Sequence, residues 1–265
     1  MTIMIMENNI REKLRYIAEK IPSMHTEILQ NASLVDSKLP SDTFNTTFGG
    51  NVDEKLATQV LAYYENNNQP MAWWLGPSSI SSLSHTSLDL AGFTFDESSI
   101  GMSCDLDHIP NFTPKTTLTI RTCETLSDFI DFAEVLSSVF DPIDDQVKVF
   151  YKKMAELPSN KRQDMILFVG YEKKIPVATC CLFLKEVAGI YDVATKPEKR
   201  NLGYGSTLFY HALLEAKKRG YSQAILQASA DGINLYKKLG FKEVCFFNIW
   251  SNKEYLHKKR MDLKN

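Results

Sequence analysis

Arg200, Gly203 and Gly205 stand in the order R-x-x-G-x-G within the segment from Ala194 to Leu208, where an apolar strand runs into a basic turn that opens a helix. This arrangement suits a diphosphate. A helix N-terminus leaves its first N–H groups unpaired and carries a partial positive charge, so an anion placed there gains several backbone hydrogen bonds. Glycines at 203 and 205 remove side chains that would block close approach, and the planar guanidinium of Arg200 matches phosphate oxygens. A dinucleotide-binding turn is the competing reading, but it requires G-x-G-x-x-G directly after a first strand and an acidic residue on a later one. Neither condition holds here.

A second group of residues lies downstream. Ile225-Leu226-Gln227-Ala228-Ser229 reads as a buried strand, and Asp231 to Leu239 as a short helix that carries Tyr236 and ends in Gly240-Phe241. Taken in order and separated by one helix, the two motifs resemble the coenzyme A pyrophosphate loop and the tyrosine-bearing helix of the GNAT (GCN5-related) N-acetyltransferase superfamily. The resemblance implies an acetyl-CoA-dependent N-acetyltransferase that uses no metal. Val193, Ala194 and Thr195 would pair through their backbone with the pantetheine amides. Arg200, Asn201, Leu202, Gly203, Tyr204, Gly205 and Ser206 would hold the pyrophosphate. Ser229 falls near the place where many members carry a cofactor-contacting asparagine. Tyr236 would be the catalytic residue, protonating the departing thiolate, since a phenol donates a proton to a thiolate of comparable basicity.

The general base is left open. Some members use a glutamate on the strand before the phosphate loop, yet Ala188-Gly189-Ile190-Tyr191-Asp192 contains none. Asp192, Tyr191 acting through a water, or an amine that loses its proton before binding are the alternatives. The acceptor, an amine, is also unassigned, because a fold and a cofactor loop do not specify it. A non-catalytic acyl-CoA binding or sensing protein and an enzyme acting on a protein or peptide stand as alternative functions.

The elements that must position these residues follow from periodicity. Strand Leu118 to Cys123, helices Ser127 to Phe140 and Asp145 to Leu157, and strands Met165 to Tyr171 and Val177 to Lys185 precede the strand Val187 to Thr195. Phe209, Ala212, Leu213 and Ala216 recur at helical spacing after the glycine turn, and Gly220 stops that helix. Strands Ala224 to Ala228 and Glu243 to Trp250 complete a mixed sheet flanked by helices, an α/β class. This is the GNAT order across roughly residues 116 to 251.

Before it, a polar helix near Ile10 to Ile21, a loop from Pro40 to Asn51 and a helix from Val52 to Glu65 lead to strand Ala72-Trp73-Trp74-Leu75. A helix around Ser82 to Leu90, Gly92-Phe93 and a strand into Met102-Ser103-Cys104 follow. The run parallels Leu208 to Trp250 and reads as a weak internal repeat. Tandem GNAT-like domains are therefore expected: a partial, degenerate one over 1–112 and a complete, acetyl-CoA-binding one over 115–265, joined at Asn111-Phe112-Thr113-Pro114. Leu88 stands where Tyr236 stands, and no arginine precedes Gly49-Gly50 at the matching spacing. Trp73 and Trp74 alternate along their strand, so their rings face opposite sides.

Composition bounds the rest. The 265 residues are 44% hydrophobic and 23% charged, with net charge −2 and pI near 6.2, which argues against a nucleic-acid binder. Cys104, Cys123, Cys180, Cys181 and Cys245 lack metal or disulfide spacing and read as reduced core residues. The start MTIMIMENNIREK turns polar too soon for a secretory signal, and no apolar run approaches a membrane span. A cytoplasmic monomer or weak homodimer is the expectation.

Overall fold

A computed structural model describes residues 2–114, 116–230 and 232–262. Asp231, where the Tyr236 helix was expected to begin, and both limits of the expected second domain, 115 and 265, lie outside these residues. The chain runs α1 (Thr2–Ala18), β1 (His25–Leu29), β2 (Ala32–Asp36), β3 (Thr46–Gly49), α2 (Glu54–Glu65), β4 (Ala72–Leu75), α3 (Ser82–Ala91) and β5 (Thr94–Asp105). It continues through β6 (Thr119–Thr122), α4 (Leu126–Ser137), α5 (Gln146–Ala155), β7 (Met165–Glu172), β8 (Ile175–Leu184) and β9 (Ala188–Thr195). Then come α6 (Tyr204–Lys218), β10 (Gln223–Ala228), α7 (Ile233–Lys238), β11 (Lys242–Ser251) and α8 (Lys253–Asp262). This is a mixed α/β fold.

The chain packs as two compact units, one holding residues through Ile100 together with those from Cys245 on, the other Gly101–Val244. The division falls within β5 and β11, not at Asn111–Pro114. Physical contacts explain the difference. Asn248–Ser251 of β11 pair antiparallel with Ala72–Leu75 of β4, which ties the end of the chain to the first unit. Residues just after position 100 are held in the second unit, where the Leu106 N–H donates to the Ser222 carbonyl at 2.8 Å and Gln223 donates to the Ser103 hydroxyl at 2.9 Å.

In the first unit β1 and β2 form a hairpin that turns at Gln30 and Asn31, both at positive φ. β2 pairs antiparallel with β3, and β3 pairs parallel with β4. The segment Pro40 to Asn51 is thus not all loop. Its Thr-Thr-Phe-Gly strand is short and polar in sequence, and it is a strand because partners exist on both sides. The N-terminal helix likewise begins at Thr2, ahead of the expected Ile10, because Ile5 and Met6 extend the buried stripe that Ile10 and Ile17 continue. Leu56, Val60 and Tyr64 of α2 pack with Trp73, Leu88, Phe93 and Trp250 into one core. Trp73 is the core tryptophan, its indole N–H donating to the Gly49 carbonyl at 2.9 Å, while Trp74 is half-buried.

In the second unit β6, β7, β8 and β9 form an antiparallel meander, and β10 joins β9 in parallel. Lys173 and Lys174, both at positive φ, make the β7–β8 turn as expected. α4 packs on β7, β8 and β9, its start fixed by a capping box between Thr125 and Asp128. α6 also packs on these three strands. All five cysteines are free and buried. Among the described residues no helix is long and apolar enough to cross a membrane.

Candidate active site

The site grows out of the place where β9 and β10 part. Their ladder is registered at Ala224↔Ala188 and Ile225↔Gly189, while β9 runs on to Thr195 and β10 to Ala228. On its other edge β9 stays paired, Thr179↔Ala194 and Ala178↔Thr195. The backbone of Ala194 and Thr195 therefore has one paired side, and from Val193 to Thr195 the other side of β9 is turned toward the gap. Past the last registered pair, both polar atoms of the Gln227 amide are shielded from solvent without a partner among the described residues.

β9 ends in a short 3-10 turn, Pro197–Lys199, and Arg200 to Gly203 lead into α6. Asn201 (φ 64) and Gly203 (φ 86) adopt left-handed backbone, which turns the chain sharply. α6 has no side-chain cap, and the first backbone N–H to donate back is that of Thr207, to the Gly203 carbonyl at 3.0 Å. The N–H groups from Asn201 through Ser206 have no acceptor among the described residues. Consecutive unpaired N–H groups at a helix start form a concave anion cradle. Gly205 is helical, but a Cβ there would stand 2.6 Å from Thr195 Oγ1, so this glycine lets α6 close against the end of β9.

A groove of ≈ 870 Å³ collects the expected residues. Val193, Ala194, Thr195, Arg200, Asn201, Gly203, Tyr204, Gly205, Ser206, Ser229 and Tyr236 all line it. Leu202 does not; it is 51% exposed and points away from the cradle. Among the described residues Arg200 and Lys238 carry no ion pair and no carboxylate lines the groove. Phe112, Lys199 and Lys238 join the lining without a signal in the sequence; Phe112 gets there by packing on Tyr210 of α6, ring centroids 5.2 Å apart.

Tyr236 is held by its ring. It packs on Phe209 with centroids 4.9 Å apart, and its carbonyl accepts the Phe241 N–H at 3.0 Å. A Cβ on Gly232 would lie 2.5 Å from the ring edge, so glycine is needed there as well. The hydroxyl has no hydrogen-bond partner among the described residues. Burial, with a smaller contribution from Cys180, raises the phenol above the ordinary tyrosine range and keeps it protonated.

Asp192 sits at φ 50 where the β8–β9 register shifts between Thr179 and Cys181. A bulge re-aims side chains, and here both ends of the residue are held. Thr179 donates to its carbonyl at 2.9 Å and the buried Tyr151 hydroxyl donates to its carboxylate at 3.0 Å. Tyr191 is buried and faces Cys181 across the ladder.

The first unit, expected to be a degenerate counterpart, also has glycines ahead of a helix, but the start of that helix is already occupied. Gly49 and Gly50 are at positive φ before α2, yet Asp53 caps that helix, its carboxylate accepting the Leu56 N–H at 2.7 Å. A negative side chain already occupies the position an anion would take. Leu88 is fully buried in the core.

Residues 131–241 match the family model Acetyltransferase (GNAT) family. No curated protein matches the chain. Among solved structures, a GCN5-related N-acetyltransferase from Kribbella flavida superposes with a TM-score of 0.65 at 14% identity, covering 91% of this chain and 94% of its own. A functionally unknown conserved protein from Staphylococcus epidermidis gives 0.64 at 13%, covering 87% and 94%. A GCN5-related N-acetyltransferase from Sphaerobacter thermophilus gives 0.58 at 16%, covering 84% and 80%. At these identities the likeness is one of fold, and it takes in the N-terminal part of the chain as well as the matched domain.

Proposed function

Starting from a GNAT acetyltransferase domain at residues 131–241, whose family performs acyl transfer from acetyl-CoA, we propose that this chain moves an acetyl group to a primary amine by direct attack within a ternary complex. The observation that supports this reading is the meeting, in one groove, of Asn201, Gly203, Tyr204, Gly205 and Ser206, whose N–H groups have no acceptor among the described residues, with the Tyr236 hydroxyl, which has no partner among them either. The N–H array and Arg200 take the diphosphate. The open edge of Val193 to Thr195 accepts the extended, amide-bearing arm, which directs the thioester toward Tyr236. There the amine nitrogen bonds to the acetyl carbon, the carbon–sulfur bond breaks, and the Tyr236 hydroxyl gives its proton to the leaving sulfur. A free tyrosinate in this buried setting is costly, so the proton moves as the bond breaks, and water in the open groove restores it. Positioning supplies most of the acceleration, because the thioester is already activated.

Asp192 is the carboxylate nearest in sequence to this path, one residue before Val193, and Tyr151 orients it. In this reading it receives the amine proton, directly or through water. The second reading is a non-catalytic acyl-CoA binding protein that keeps the loop without a productive acceptor site. One experiment separates the two. Acetyl-CoA is titrated into the protein by calorimetry, and free CoA release is followed with a panel of small amines, aminoglycosides and peptides. Turnover with any acceptor supports the enzyme, and the size of the best acceptor distinguishes small-molecule from protein modification. Tight binding without turnover on any acceptor supports the sensor, and absence of binding overturns both.

A further inference from the structure

Between Lys199 and Tyr204 the loop holds itself together poorly. Asn201 and Gly203 are left-handed, and none of the N–H groups from Asn201 to Ser206 finds an acceptor among the described residues. An unliganded segment of this kind samples many conformations unless its ends are fixed from outside. Both ends reach the same side chain. Lys199 Nζ lies 2.6 Å from Glu172 Oε2, and the Tyr204 hydroxyl donates to Glu172 Oε1. Thr116 also reaches the phenol.

We infer that Glu172 is a positioning residue for the acyl-CoA site, its one carboxylate tying Lys199 and Tyr204 and so holding the intervening loop ready for a diphosphate. The inference rests on the reading above that the loop binds acyl-CoA. Glu172 is well placed for such a role. It closes β7 opposite Ile175, at the end of the most extensively paired hairpin of the unit, so the tie runs from a stiff element to a soft one. The tie holds across the ordinary pH range, because Lys199 and then Tyr204 hold the Glu172 carboxyl below its usual value. Lys173 is the other charge acting on it. A consequence concerns selectivity. The Lys199 charge is committed to Glu172, so recognition of the ligand's phosphates falls to the N–H array, Arg200 and Lys238.

The sign of one substitution tests this. Glu172→Gln removes a negative charge beside an anion site and frees Lys199, which by electrostatics alone would tighten acetyl-CoA binding. The positioning role requires the opposite, a loss of about tenfold in affinity, the scale of one charge-assisted hydrogen bond. Tyr204→Phe keeps every charge and the ring, and it should weaken binding in the same direction. The double variant should lose less than the product of the two. S-acetylpantetheine, which lacks the diphosphate, is the control ligand, and its affinity should not change in any variant. Unchanged or tighter acetyl-CoA binding by Glu172→Gln overturns the inference, as does a parallel loss for S-acetylpantetheine, which would mark a general structural defect. Failure of the parent protein to bind acetyl-CoA overturns instead the reading of the site on which the inference stands.

Discussion

Gly205 lies so close to Thr195 that a methyl group on its α-carbon would stand 2.6 Å from the threonine hydroxyl oxygen. Gly205→Ala should therefore weaken acetyl-CoA binding, even though alanine in a helix is intrinsically more stable than glycine by about 0.5–1 kcal/mol. Thr195→Ala in the same chain removes the obstructing oxygen and should restore most of the affinity. Calorimetry on the parent, single and double variants reads this directly, and an unchanged Gly205→Ala would separate the glycine from the approach of α6 to β9.

Arg200 has no partner to lose among the described residues, so Arg200→Ala should leave stability unaltered while reducing acetyl-CoA affinity. A charge-assisted hydrogen bond contributes about 1.5–3 kcal/mol. The loss should shrink as salt is raised, since the groove is open to solvent. Equal affinity in a folded variant would remove Arg200 from the phosphate site.

Tyr236→Phe keeps the ring contacts with Phe209 and Phe241 and orphans nothing, because the hydroxyl has no partner among the described residues. Acetyl-CoA affinity should hold while turnover falls by about 10²–10⁴, the usual effect of removing a general acid. Because burial raises this phenol, the protonated form persists as pH rises through the ordinary tyrosine value of about 10. Any alkaline loss of rate below that pH should therefore survive in the variant's residual activity. Equal turnover, with chemistry shown to limit the rate, would return Tyr236 to a core role.

The first unit should bind no acetyl-CoA, since Asp53 already caps the helix that corresponds to α6 and Leu88 replaces the tyrosine. The intact chain should take up a single acetyl-CoA. Asp53→Ala should cost about 0.5–2 kcal/mol in stability through loss of the cap, read by denaturant unfolding, with the stoichiometry unchanged. A second binding event in the parent would contradict the degenerate reading of this unit.

Much of the site was legible because it is local. Glycine at 203 signals left-handed backbone before a helix, and Gly240-Phe241 after Tyr236 signals the return that the Phe241 N–H makes to the Tyr236 carbonyl. The two Gly-Phe turns are alike for the same reason, with the Phe93 N–H donating to the Leu88 carbonyl at 2.9 Å as the Phe241 N–H donates to the Tyr236 carbonyl at 3.0 Å. Leu202 shows the limit of that logic. It sits inside the motif, yet the turn that aims its neighbours' N–H groups inward sends its side chain out.

Periodicity and motif spacing by themselves determined the class of fold and the order of nearly every element of the second unit, and they marked out the glycine turn and the tyrosine as candidates. Tertiary structure alone decided the rest. Glu172 meets Lys199 across 27 residues and Tyr204 across 32, and Tyr151 meets Asp192 across 41. β3 is a strand because β2 and β4 flank it, and β11 from Cys245 on belongs with the first unit because Asn248–Ser251 pair with β4. Such contacts leave no trace in spacing. Their partners are brought together by burial of whole elements, which is a property of the folded chain and not of any short segment of it.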